Sequence, residues 1–395
     1  MKKILIISHA MELGGAERAL IGLLEAFDKE KYDIELFLLR HEGELLDMIP
    51  SGIKLLPQIK EYSCLAVPIG RVIKKGCFAV AFGRFLGKMK AKRYVSNNKI
   101  KGEGVYLEYS HKYVKKYMPM ISDKEYDLVI SFLTPHYFGL EKCKGKKRIA
   151  WIHTDYSMLD VDEKSEGRMW GGYDSIVSIS DDVSASFIKR FPSLEDKLVR
   201  VDNIISQKSI AEASRVGQNE IINDGKTVIL SCGRVTEGKN FASVPKMCSY
   251  LMSHGHDVMW YIVGDGPDIE RVKANIVSEG LEDRVIMLGA KANPYPYISA
   301  CDIYVQPSFY EGKAVAVREA QILGKPVVIT DYPTAKSQLT DGFDGIIAPL
   351  DTEGCAEAIS SLLSDKNKLV QLRDNCLSQN YSNENEVQKI CDLIY

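Results

Sequence analysis

The 395-residue sequence carries nine cysteines, yet it has no C-x-x-C pair and no cysteine–histidine cluster at metal-site spacing. That excludes a zinc ribbon and a redox dithiol, and scattered thiols in odd number fit a reducing compartment. No stretch reaches the roughly 18 consecutive apolar residues that a membrane-crossing helix needs. An excess of one charge is lacking too: the formal net charge is -2, which gives no reason to expect a nucleic acid as partner. The N-terminal "MKKILIISHAMELGGAER" has a basic start and a short apolar run but no small-residue cleavage site. It reads as a first strand rather than a signal peptide. Two phosphate-binding signatures are missing as well. Without a Walker A sequence ATP hydrolysis has no support, and "LGGAER" does not make the G-x-G-x-x-G of a dinucleotide site.

What is present is an ordinary soluble globular mix, 45% apolar and 26% charged, in a chain long enough for two cores. Short β-branched runs alternate with amphipathic stretches in two rounds. The first round offers strands at 3–8, 33–39, 53–57, 127–132, 148–153, 175–180 and 197–201. The second restarts with "TVILSCGR" at 227 and continues at 258–266, 284–289, 303–308, 326–330 and 345–349. Several runs are apolar at nearly every position, as parallel strands covered on both faces are. The expectation is an α/β chain of two Rossmann-like, doubly wound parallel-sheet domains facing a central cleft. The boundaries read as 1–203, a polar linker 204–226, 227–380, and a last helix in 381–395 packing back on the first domain.

Ligands in such sheets bind beyond the C-terminal ends of the strands, so the residues there carry the functional reading. After the first strand, Gly14 and Gly15 let a backbone approach a ligand with free N–H groups, or make only a tight turn. After the strand at 227, Arg234 and Lys239 suit a diphosphate, the one as a fork and the other as a point charge. A solvated basic loop is the alternative. Gly264-Asp265-Gly266-Pro267 ends another strand, and Gly289 to Asn293 lie where a planar base could meet backbone groups.

The stretch "SFYEGKAVAVREAQILGKPVVIT" holds the densest signal. A helix is expected to begin at 313–315 and run to 323, with Gly312, Lys313 and Ala314 presenting N–H groups as an anion site. Glu311, in the loop before it, can accept hydrogen bonds from sugar hydroxyls. Glu319, in a packed segment, needs donors that a ribose diol would supply, unless Arg318 is its ion-pair mate. In the first half, "WIHTDYS" places His153 and Asp155 at a strand end, with Thr134, Pro135 and His136 ending the strand before and His9 the first. The acids of "DVD" at 160–162 read as a surface run, so no metal ligands are expected.

One local imbalance stands out. Between 71 and 116 there are 13 Lys or Arg against two acids, around "CFAVAFGRFLGKMKAKRY". An apolar, basic helix can lie on an anionic membrane surface; one buried face and one wet basic face is the plainer reading.

The motifs "GGAER", "GRVTEGKN", "VGDGP" and above all "EGKAVAVREA" resemble glycosyltransferase family 4, the retaining GT-B enzymes, over essentially the whole chain. The resemblance implies a nucleotide-sugar donor, a UDP-sugar by preference or a GDP-sugar, bound mainly to the C-terminal domain. It implies transfer of a hexosyl group to a hydroxyl of a glycan or lipid-linked saccharide, with no cofactor and no metal required. By the same resemblance Arg234 and Lys239 are diphosphate ligands, Glu311 holds the transferred sugar, and Glu319 binds the ribose. Gly15 borders the phosphates, His153 is the active-site histidine, and Gly264, Asn293 and 312–314 line the donor. Family members most often have Gly-Phe-Gly after the first glutamate, and here Gly312-Lys313-Ala314 stands instead. The closest style is that of bacterial surface-polysaccharide and glycolipid enzymes, cytoplasmic and peripheral at the inner face of the membrane. A nucleotide-sugar 2-epimerase, a glycogen- or sucrose-type synthase and a non-catalytic partner subunit are the alternatives.

Overall fold

The computed structural model describes residues 1–12, 14–217, 219–222, 224–311 and 314–395, with Met158 described for its backbone alone. Among these, thirteen strands form two all-parallel sheets. The first contains β1 (Lys2–Ser8), β2 (Tyr32–Leu38), β3 (Lys54–Leu55), β4 (Glu125–Ser131), β5 (Lys144–Ile152), β6 (Ser175–Ser178) and β7 (Leu198–Arg200) in the order β3-β2-β1-β4-β5-β6-β7. The second contains β8 (Thr227–Cys232), β9 (Val258–Val263), β10 (Val285–Gly289), β11 (Ile303–Gln306), β12 (Val327–Thr330) and β13 (Ile346–Ala348) in the order β10-β9-β8-β11-β12-β13. Strand order reverses between β1 and β4 in one sheet and between β8 and β11 in the other. Those switch points open a crevice at the strand ends.

The apolar runs fold as they do because each strand is covered twice. In β1, Ile4 and Ile6 enter one core with Leu20 and Leu24, while Leu5 and Ile7 enter another with Phe37 and Tyr62. Alternate residues thus serve opposite faces, and each fully buried side chain contributes about 1.5–3 kcal/mol. A charge at Leu5 or Ile6 would break the sheet at its centre. In β9 all six residues of "VMWYIV" are buried, and the Trp260 indole N–H is satisfied by Ser231 Oγ at 3.1 Å.

The chain divides into two compact units, Met1–Ile205 with Asn383–Tyr395, and Ser206–Ser382. The returning C-terminal segment is pinned to the first unit by hydrogen bonds through Asn383, Glu386 and Lys389. Asn383 Oδ1 accepts from the Ile205 N–H at 2.8 Å, its Nδ2 donates to Asn203 O at 3.1 Å, and Glu386 Oε2 accepts from the Asp202 N–H at 3.0 Å. The helix Val387–Asp392 then buries Ile390 and Cys391 in the first core. The second unit begins at Ser206, which caps the helix Gln207–Ala213, and that helix buries Ile210.

One expectation gains detail and one needs correction. The basic 71–116 segment begins in the helix Ile69–Lys74 and continues as a hairpin of helices, Phe78–Asn98 and Glu103–Val114, turned by Lys99 and Gly102 in left-handed conformations (φ 53° and 74°). The acids at 160–162 are no surface run, because they tether that hairpin. Asp160 Oδ2 accepts from the Lys101 and Gly102 N–H groups at 3.0 and 3.3 Å, and Asp162 Oδ2 accepts from Tyr109 OH at 2.6 Å.

Candidate functional site

In the second unit the loops after β8 and β11 are tied together, since the Phe309 N–H donates to Gly238 O at 2.9 Å. This brings Lys239 to Glu311: Nζ lies 2.5 Å from Oε1, with the carboxylate side chain only 8% exposed. Ser308 Oγ donates to the same oxygen at 2.6 Å. Behind it the network continues through Gln306 Nε2 to Ser308 Oγ (3.0 Å) and Tyr304 OH to Gln306 Oε1 (2.7 Å). Thr334 Oγ1 fixes the loop itself by donating to Glu311 O at 2.8 Å. A buried carboxylate needs polar partners, and Glu311 has both a cation and a hydroxyl. Arg234 is exposed on the same loop as Lys239 and makes no ion pair or hydrogen bond among the described residues.

Glu319 lies in the helix Val315–Ile322 and is 3% exposed. Tyr295 OH donates to its Oε1 at 2.9 Å. Arg318 is not its ion-pair mate. That guanidinium turns to Gln338 O (2.9 Å) and stacks over the Tyr381 ring at 4.5 Å. Adjacent helical residues diverge by about 100°, so neighbours in sequence seldom share a partner.

The expected N–H cradle is only partly available. Ala314 N–H already donates to Gln338 Oε1 at 2.9 Å, and Gln338 Nε2 returns a bond to Ala314 O at 3.2 Å. The buried amide caps the helix where an anion was expected. Gly312 and Lys313 lie outside the described residues. Asn293 is committed as well: its Nδ2 donates to Ala213 O and Val216 O at 2.8 and 3.0 Å, holding the end of the Gln207–Ala213 helix. Gly264 has a packing reason of its own, because a Cβ there would stand 1.9 Å from Gly233 O. It lets the β8 and β9 loops touch, and so fixes the loop that carries Arg234.

Residues the sequence reading passed over complete this site. Tyr304, Gln306 and Ser308 follow the two-residue strand period, polar positions alternating within an apolar run, and that was a usable signal. Tyr332 is buried beside Glu311, with its phenol pushed up by burial and then by that carboxylate, and its hydroxyl has no partner among the described residues. Nothing local marks Tyr332 or Gln338, since both arrive from later in the chain, Tyr332 just after β12 and Gln338 from the short helix Ala335–Gln338.

In the first unit, histidines gather at the strand ends. His9 follows β1, His136 follows β4 after the Thr134–Pro135 peptide, and His153 follows β5; His111 joins them from the Glu103–Val114 helix. The His9 and His111 ring centroids are 6.1 Å apart. Burial lowers all four: His9 and His153 to about 4, His111 to about 3, and His136 well below its usual value. They are neutral at pH 7. The His153 ring packs at 4.5 Å from Phe132 and stacks on Trp151, and its Nε2 is buried without a partner among the described residues. Asp155 instead caps a short turn, accepting from the Ser157 N–H at 2.8 Å. Gly15 opens the helix Gly15–Ala26, and a Cβ there would meet nothing within 4 Å. Nearby, Glu108 and Glu166 are enclosed among Tyr137, Ser165, Tyr156 and Trp170, and burial pushes Glu166 up to about 7. No group of three or more His, Cys, Asp or Glu is placed to hold a metal ion among the described residues.

Comparison with known proteins gives this geometry a context. Residues 215–379 match the family model of glycosyl transferases group 1, somewhat under half of the chain. The alpha-D-kanosaminyltransferase of Streptomyces kanamyceticus is 28% identical over 155 residues, 38% of this chain and 40% of that protein. The N-acetylgalactosamine-N,N'-diacetylbacillosaminyl-diphospho-undecaprenol 4-alpha-N-acetylgalactosaminyltransferase of Campylobacter jejuni is 30% identical over 139 residues, 35% of this chain and 37% of that protein. The chain therefore spans about two-fifths of the length of these curated relatives. Among solved structures, Anabaena Alr3699/HepE in complex with UDP superposes with a TM-score of 0.62 at 17% identity, over 99% of each chain. At that identity the likeness is one of fold, and the fold is GT-B, two Rossmann-like parallel-sheet domains.

Proposed function

We propose that this protein is a retaining glycosyltransferase. It moves a hexosyl group from a nucleotide sugar, a UDP-sugar rather than a GDP-sugar, to a hydroxyl of a glycan or lipid-linked saccharide in surface-polysaccharide or glycolipid synthesis. The observation that carries this reading is the Lys239–Glu311 pair at the switch point of the second sheet, inside the segment that matches glycosyl transferases group 1. The names of the relatives support it, one being a transferase to a diphospho-undecaprenol acceptor. The UDP in the HepE complex supports the preferred donor.

In this reading the leaving diphosphate gathers negative charge as the glycosidic bond breaks, and Arg234 and Lys239 stabilise it. The Lys239 ammonium has three donors, of which Glu311 takes one, leaving two for phosphate oxygens. Both hydrogen bonds described for the Glu311 carboxylate end on Oε1, so Oε2 serves a sugar hydroxyl and holds the ring in place. Glu319 takes the ribose diol from within its helix. With Ala314 N–H occupied by Gln338, the phosphate charge falls on the two cations more than on the helix start. The acceptor hydroxyl attacks on the face the diphosphate leaves, and a phosphate oxygen takes its proton. No covalent nucleophile is needed, and Glu311 positions rather than deprotonates. In the first unit, the neutral His153 has one nitrogen for a hydroxyl of the acceptor.

The test is product analysis with labelled UDP-hexoses, with and without a saccharide acceptor, followed by the anomeric configuration of the product. A hexosyl product with the donor's configuration, formed only with acceptor, is expected. Conversion of the sugar without acceptor would make the protein an epimerase, and an inverted product would remove the retaining mechanism.

A further inference from the structure

The helix Phe78–Asn98 is built inside out. Its buried face consists of Val80, Ala81, Gly83, Gly87 and Ala91, small residues that let the Glu103–Val114 helix come close. A Cβ on Gly87 would stand 2.5 Å from Tyr109 O, and one on Gly83 2.9 Å from Val114 Cα. The large apolar residues face the other way: Phe78, Phe82, Phe85 and Met89 are 66%, 53%, 51% and 53% exposed. Their spacing of four, three and four residues puts them in one stripe about 60° wide, opposite the glycines. Core packing accounts for the small face. It does not account for three outward phenylalanines in a row, which cost solubility unless something covers them.

The charges say what covers them. The helix contains no Asp or Glu, while Lys88, Lys90, Lys92 and Arg93 are exposed around the stripe and make no ion pair among the described residues. Arg71, Lys74 and Lys75 are exposed just before it, as is Ile73. A second copy of the chain, docking through the same face, would set these cations against one another. A lipid surface of negative charge takes both features at once, phenylalanine at the acyl boundary and lysine among the headgroups. No helix among the described residues is long and apolar enough to cross a membrane, so the contact is made lying flat. We infer that the Phe78–Asn98 helix is a docking surface for an anionic membrane, inserted through Phe78, Phe82, Phe85 and Met89. The inference goes beyond the proposed transfer reaction, since docking needs neither donor nor acceptor.

The experiment is co-sedimentation of the full chain with phosphatidylcholine vesicles with and without phosphatidylglycerol, over a salt series. Binding to the phosphatidylglycerol vesicles that weakens with salt is expected, and Phe82→Ser with Phe85→Ser should lower it roughly tenfold or more while the melting temperature stays the same. All three native tryptophans are buried, so a Phe85→Trp variant reports on the stripe against a quiet background. Its emission should shift to the blue on adding vesicles, and this readout stands even if the double variant folds poorly. Equal binding to neutral vesicles, unchanged binding by the double variant, or no shift from Trp at 85 would overturn the inference. So would a dimer in the absence of lipid that the double variant makes monomeric, which would give the face to a second copy.

Discussion

Around the switch point of the first sheet the loops carry His9, His136 and His153, all kept neutral by burial, His136 against Trp170 and His153 against Phe132 and Trp151. At the corresponding place in the second sheet the loops carry Arg234, Lys239 and Glu311, with Glu319 in the helix that follows. Both sheets share one winding rule, so topology alone does not account for the difference. Neutral imidazoles among aromatics suit hydroxyl groups and sugar faces; fixed cations and carboxylates suit a diphosphate and a diol. On the proposed reading the same fold is equipped twice, for a neutral ligand in one unit and a charged one in the other.

The largest expected effect lies in the charged unit. Arg234→Ala with Lys239→Ala removes both cations offered to the leaving group, and turnover should fall about 10²–10³-fold. Retained turnover would end the claim that this loop meets the diphosphate. Glu319→Ala should weaken UDP binding by about 10–100-fold, the value of roughly 1.5–3 kcal/mol of charge-assisted hydrogen bonds. Glu311→Ala should leave UDP affinity nearly intact and lower turnover instead, measured by calorimetry alongside initial rates. Equal, small effects from the two glutamates would contradict their separate roles.

In the neutral unit, His153→Ala should cut kcat/KM for the acceptor about tenfold while leaving UDP affinity unchanged. A change in UDP affinity alone would undo the contrast between the units. The smallest effect is one of pH. A histidine held neutral by burial binds fewer protons folded than unfolded, so its contribution is lost as pH falls from about 6.5 toward its folded pKa. Glu166, raised to about 7, acts in the opposite sense: its contribution is present at low pH and lost as pH rises through 7. Replacing His111, lowered to about 3, by Asn should therefore reduce the loss of stability between pH 6.5 and 4 by up to about one proton's worth, as followed by denaturant melts.

Much of the fold was legible, for a physical reason. Every expected strand has its counterpart, because strands covered on both faces leave apolar runs such as "KILIIS" and "VMWYIV" that little else produces. The hairpin of Phe78–Asn98 and Glu103–Val114 was harder to read, since its contact face is made of glycine and alanine and its large residues point outward. At the candidate site, charged residues at strand ends were readable from position alone. Their partners were not: Gln338 reaches Ala314, and Tyr295 reaches Glu319, from short helices that only the folded chain brings near. Asn293 and Gly264 stood in suitable places, yet the structure gives them the packing work of joining a helix end and two loops.

Recognition of a nucleoside diphosphate by the second unit is measured directly by titration calorimetry of the full chain with UDP, GDP and ADP. Saturable binding of UDP, tighter than GDP or ADP and lost in the Arg234→Ala, Lys239→Ala variant, is the predicted result. A folded protein that binds none of the three, or binds UDP equally well without both cations, would contradict it.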